Sequence, residues 1–145
     1  MMTLYTDASR KEFDNQYSSA WAFITQGKNR TKQSGKVKDE ISYCNTACEF
    51  FAIYQAIKYA ISCGEKNITV KTDSKTFVDY WTQNITRNPK LYSIVEKVRN
   101  IITDEVVVLE FIPAHTGGKD KDSKMNRKAD RLAKTTASKI MESRF

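Results

Sequence analysis

Residues 68–78 read ITVKTDSKTFV, an apolar–polar alternation that stops at an aspartate and gives way to a helical pattern. Ile68 and Val70 alternate with Thr69 and Lys71, the period of a strand with one buried face. The strand ends at Asp73, and a short helix over roughly 75–82 follows. Asp73 thus stands where an open α/β sheet collects its functional groups, beyond the carboxyl end of a strand. The pattern continues on both sides. Upstream, Phe50, Ile53, Tyr54, Ile57, Tyr59, Ala60 and Ile61 fall at helical spacing over 46–62, with Asn45 or Thr46 as cap and Gly64 as terminator. Downstream, Asn88-Pro89 opens a helix that runs to about residue 102, and VVVLEFI at 106–112 reads as a buried strand. Such helix–strand alternation favours parallel pairing.

The chain ahead of this segment has another rhythm. LYT at 4–6 begins a short strand that ends in Asp7, and SSAWAFI at 18–24 reads as a second strand. RTKQSGKV at 30–37 is polar and suits an edge, while DNQYS supplies a hairpin connection between the first two strands. At the other end the loop PAHTGGKDKDSK precedes a terminal helix that starts near Met125. The expectation is one α/β domain over residues 1–145. Its five-stranded mixed sheet would have strands 1–3 antiparallel, strands 4 and 5 as parallel additions, and helices on both faces.

Composition narrows the function classes. Forty per cent of the residues are hydrophobic and 28% charged, which suits a packed domain and excludes a disordered chain. No apolar run approaches the length needed to span a membrane, and MMTLYTDAS lacks the pattern of a secretion signal. A cytoplasmic location is therefore expected. Cys44, Cys48 and Cys63 cannot all pair within one chain, and with a single distant histidine they make a poor zinc site. The net charge is +7, and residues 117–145 hold 9 basic and 4 acidic side chains, a local +5. So concentrated an excess points to a polyanionic partner, nucleic acid first.

Where the acids fall narrows the chemistry further. Asp7 and Asp73 each end a central strand, and Glu49 lies one turn into the first long helix. In MNRKADRLAK (125–134) one carboxylate, Asp130, stands among Arg127, Lys128, Arg131 and Lys134. Alone, an aspartate there is a local salt-bridge partner. Together, four converging acids repel: two charges about 4 Å apart cost roughly 4 kcal/mol at an effective dielectric of 20. A domain stable by only about 5–15 kcal/mol needs counter-charge to hold such a cluster. Oxygen-only ligands select a hard divalent ion, Mg²⁺ or Mn²⁺, over zinc.

YTDAS (5–9), CNTACEFFAIYQAI (44–57), TDSKTFV (72–78) and PAHTGG…NRKADRLAK (113–134) resemble the successive motifs of type 1 ribonuclease H. The resemblance spans nearly the whole chain. It implies a ribonuclease H-like fold and a metal-dependent endonuclease that cuts the RNA strand of RNA–DNA hybrids, leaving 5′-phosphate and 3′-hydroxyl ends. By the same resemblance, Asp7 matches the carboxylate shared by two Mg²⁺ ions, for which Mn²⁺ can substitute. Glu49 and Asp73 match ligands on the leaving-group side, and Asp130 a ligand of the ion that activates water. His115 matches an auxiliary group in proton transfer or product departure. Asn45 matches a residue that reads the hybrid's minor groove, and Ser9, Thr46, Ser74 and Asn126 are candidates for backbone or 2′-hydroxyl contacts.

Some positions depart from the family pattern. Ala8 stands where glycine is common, Lys75 replaces a polar amide, and the region 82–105 has room for one helix. The extra basic helix that some relatives use as a substrate handle is thus expected to be absent, and the protein to be a monomer. Two alternatives remain open: another nuclease or strand-transfer activity on this fold, and a hybrid-binding module without turnover. The short chain and the AHTGG…NRKAD element argue against the first. The complete set of acids argues against the second, because binding alone gains nothing from a repulsive cluster.

Overall fold

The computed structural model describes residues 1–27, 30–113 and 120–144. Among these residues five strands form one sheet: β1 (Met2–Phe13), β2 (Gln16–Thr25), β3 (Lys32–Lys36), β4 (Asn67–Thr72) and β5 (Val106–Phe111). Their order is β3-β2-β1-β4-β5. The first three pair antiparallel, and β4 and β5 add in parallel, as the change of rhythm in the sequence predicts. Four helices complete the fold: α1 (Asn45–Ser62), α2 (Lys75–Gln83), α3 (Pro89–Ile101) and α4 (Lys121–Glu142).

Successive strand residues point to opposite faces, and this separates the two cores. Leu4 and Phe23 pack with Phe50, Ile53 and Ile57 of α1 and with Val95 and Val98 of α3. Tyr5 and Ile24, the next residues along, pack against Met125 and Ala129 of α4. The helices therefore cover both faces of the sheet. Phe50 meets Phe77 and Tyr80 of α2 edge-on, at 4.8 and 5.6 Å between ring centroids. Such pairs stabilise by about 0.5–1.5 kcal/mol beyond their buried area. They fix the start of α2 relative to α1. On the other face the Ser18 hydroxyl donates to the Ala137 carbonyl at 2.8 Å, and the Thr136 hydroxyl to Ser34 Oγ at 2.7 Å, holding α4 to β2 and β3.

Four local readings are corrected. β1 does not end at Asp7 but continues to Phe13, because the polar stretch after Asp7 stays paired with β2 as far as the turn. That turn is Asp14–Asn15, both at positive φ (52° and 62°), the backbone twist that suits a two-residue hairpin. Next, β5 is an edge strand and not a buried one: Val106 and Val108 are 59% and 46% exposed, and Leu109 alone is buried. Its apolar composition gives no periodicity to place it in the sheet. The cap of α1 is Cys44, whose Sγ accepts from the Ala47 N–H at 3.5 Å, and neither Asn45 nor Thr46. Finally, α4 starts at Lys121, because Asp120 caps it by accepting from Ser123 N–H at 3.1 Å. The last four residues of the charged loop read before Met125, 121–124, are therefore helix.

Candidate active site

The register of the sheet opens the site. The parallel ladder between β1 and β4 ends at Thr6 opposite Thr72. Asp7 is the next residue of β1 and Asp73 the first beyond β4, so the two acids flank the point where the strands part. Glu49 reaches the same place from the first turns of α1, and Asp130 from α4. All four line one open cleft of about 390 Å³, together with Ala8, Ser9, Arg10 and Asn45.

Asp7 is 8% exposed. Burial is the main reason its carboxyl is pushed up to about 9; the charge of Asp73 adds to the shift, as do a hydrogen bond and charge from Asp130. The Ala8 N–H, donating to Oδ1 at 2.8 Å, works in the other direction. Glu49 is pushed up to about 7, first by burial and then by Asp73, while a hydrogen bond from Ser74 opposes. One charge, Asp73, thus disfavours ionisation of both neighbours. Asp130 also pairs with Lys134, one helical turn on, at 3.0 Å. Asp130 thus both pairs with Lys134 and lines the acidic cleft.

The donor set is carboxylate oxygen throughout, and its buried member resists ionising without counter-charge. These are properties that fit a hard divalent cation. Asp7 feels both Asp73 and Asp130, and Asp73 also acts on Glu49. Among the described residues no three His, Cys, Asp or Glu side chains gather closely enough to form a ready cage for one ion. The acids ring the cleft instead of meeting at a point, the arrangement that mutual repulsion favours.

The other candidate residues separate into groups. Ser9 and Asn45 line the cleft with the acids. Thr46, Ser74 and Asn126 do not. Ser74 is buried and hydrogen-bonded to Glu49, and its Oγ also accepts from the Phe77 N–H at 3.3 Å as the cap of α2. Asn126 is 4% exposed, and its Oδ1 has no partner among the described residues. His115 lies outside the described residues. Arg10 lines the cleft and was not singled out by sequence; its Nε donates to the Ser42 carbonyl at 3.1 Å and its guanidinium covers the Tyr17 ring at 4.3 Å. Reading the stretch after Asp7 as a connection hid it.

A family model described as RNase H matches residues 1–138. The chain belongs to the RNase H family. No match was found among curated proteins. Solved structures with the same fold include RNase H1 from the halophilic archaeon Halobacterium salinarum NRC-1, at 17% identity and a TM-score of 0.74, covering 95% of this chain and 98% of that one. LC11-RNase H1, solved in complex with an RNA/DNA hybrid, is 18% identical with a TM-score of 0.75, covering 97% and 99%. The N-terminal RNase H domain of a Mycobacterium tuberculosis protein matches at 16% identity and a TM-score of 0.67 over 100% of both chains. The five-stranded mixed sheet of this RNase H is the fold these structures share.

Proposed function

We propose that this RNase H-family chain is an endonuclease that hydrolyses the RNA strand of RNA–DNA hybrids in the presence of Mg²⁺ or Mn²⁺, leaving 5′-phosphate and 3′-hydroxyl ends. The observation that carries the reading is the buried Asp7 held between Asp73 and Asp130 where β1 and β4 part. Hybrid as substrate is supported by the complex of LC11-RNase H1, a structural relative. Two bound ions would supply a hydroxide nucleophile and charge stabilisation at the departing 3′-oxygen. The chain's own part is to place Asp7 centrally, Glu49 and Asp73 on the leaving-group side, and Asp130 on the side of the attacking water. Ser74 orients Glu49 through its hydroxyl. Arg10 presents a guanidinium to a phosphate at the cleft, and Asn45, exposed at the start of α1, presents an amide to the minor groove. His115 is assigned proton transfer or product departure. The reading includes a cytoplasmic monomer; no helix among the described residues is long and apolar enough to cross a membrane.

The test is direct. Labelled hybrid, double-stranded RNA and double-stranded DNA are incubated with the protein, with Mg²⁺ and with EDTA. Cleavage of the RNA strand of the hybrid alone, only with the metal, is the expected result. Comparable cutting of duplex DNA, or cleavage in EDTA, overturns the reading.

A further inference from the structure

A second cleft lies beside α4 and shares no residue with the acidic one. It measures about 620 Å³ and is lined by five cations: Arg30 just before β3, Lys32 at its start, and Lys128, Arg131 and Lys139 on α4. Lys128, Arg131 and Lys139 are spaced three and eight residues apart, which puts them on one face of the helix. Ile24 and Leu132 supply its apolar wall. None of the five cations is in an ion pair among the described residues, whereas Lys66, Lys71 and Lys134 each have a carboxylate partner.

Cations gathered in a groove without counter-charge raise the local potential, and an anion relieves it. The size of the groove selects the anion. From Lys128 to Lys139 the helix advances about 16 Å at 1.5 Å per residue. A nucleic-acid strand presents a phosphate for about every 3.4 Å of duplex axis, so that length spans roughly five phosphates. A single small anion engages only part of such a groove. A membrane surface asks for a flat face with protruding apolar side chains, whereas here the cations stand on two walls and Ile24 is buried.

We propose that this cleft binds the phosphate backbone of nucleic acid extending beyond the catalytic cleft, so that one polyanion lies across α4. The nature of that strand rests on the hybrid-cleaving function proposed above. The acids and the basic groove share α4, and a helix with its side chains is about 10–12 Å across. A hybrid seated on the acids must therefore continue for several base pairs to reach Arg30, Lys32 and Lys139. The basic groove would supply the grip that relatives with an extra basic helix obtain elsewhere.

The test is binding by fluorescence anisotropy in EDTA, with labelled hybrids of about one and about two helical turns. The parent is compared with a variant carrying Arg30→Gln, Lys32→Gln and Lys139→Gln. Lys128 and Arg131 are left in place because they sit within two residues of Asp130. The variant is expected to bind the longer hybrid about 10-fold or more weakly, with a salt dependence shallower by about 0.9 log unit per lost phosphate contact. The loss on the shorter hybrid should be clearly smaller. Unchanged affinity and salt slope on the longer hybrid overturn the proposal. So does an equal loss on both lengths, which places these cations at the catalytic cleft, and so does a parent that binds neither hybrid. Vesicles of anionic phospholipid form the third arm: binding that the variant loses there, with hybrid binding kept, assigns the groove to a membrane and overturns it as well. Failure of the parent to cleave hybrid sinks the proposed activity, while the binding comparison still decides the groove.

Discussion

At Asp7 and Glu49, burial and the charge of Asp73 act in the same direction, and both carboxyls hold their protons well above the usual carboxylate range. Each group binds protons more tightly folded than unfolded, so rising pH removes stability from the metal-free protein. The window runs from the ordinary carboxylate value near 4 up to about 9 for Asp7, and up to about 7 for Glu49. In EDTA the melting temperature should therefore fall steadily between pH 5 and pH 9, and millimolar Mg²⁺ should flatten that fall by stabilising the ionised acids. A flat metal-free profile would show that the acids do not feel one another. Asp73 is legible just past a strand end and Glu49 one turn into a helix, whereas Asp7 lies inside β1 and Asp130 in the middle of α4, where only their motifs single them out. Ser74 and Arg10 are less legible. Ser74 reads as a helix cap, and its bond to Glu49 depends on packing between α1 and α2. Arg10 is hidden because nothing in RKEFDNQYSS announces that the strand goes on.

Among the elements, α4 bears most on the site, since it carries Asp130 and separates the two clefts. Its first turn is pinned to the sheet by Asp122, which accepts a hydrogen bond from the buried Tyr5 hydroxyl and pairs with Lys71 at 2.9 Å. Lys71 also pairs with Glu110 of β5 at 3.6 Å and lies over the Tyr5 ring at 5.6 Å. Burial, followed by the Asp122 bond, pushes the Tyr5 phenol up and keeps it a donor. Asp122→Ala leaves that buried hydroxyl only a long bond to Gln26 Oε1, at 3.4 Å, and takes a carboxylate from Lys71, a loss of about 1–3 kcal/mol. Its melting temperature should drop by several degrees, and that of Tyr5→Phe by less, because the phenylalanine leaves no weakly held donor and Asp122 keeps its pair with Lys71. Equal drops, or none, in a thermal melt would refute the pin. The sequence shows the terminal helix from Met125 onward but places its start four residues late, because KDKDSK looks like loop until Asp120 is recognised as a cap. Lys71 reads as the exposed side of an alternating strand. Its partners come from the first turn of α4, Asp122, and from the neighbouring strand, Glu110.

For the whole molecule, the topology explains why acids from all parts of the chain meet. Placing β1 between β2 and β4 makes it the one strand that is antiparallel on one side and parallel on the other, and the parallel side ends at Thr6. The sheet type was readable from the change of rhythm along the chain. The edge position of β5 was not, because strand order is set by crossover geometry and not by the composition of the strand. Convergence of the acids is the central claim, and Asp73 is the charge both raised neighbours share. Asp73→Asn removes it with little change of shape. In EDTA near pH 9, where Glu49 is ionised and Asp7 is beginning to be, the variant should melt a few degrees above the parent, from relief of about 1–2 kcal/mol of repulsion. Millimolar Mg²⁺ should stabilise the parent more than the variant, because ions that bind only the folded state act by mass action. A variant that melts below the parent in EDTA, with the same response to Mg²⁺, would contradict the convergence of the four acids on one cation-binding cleft.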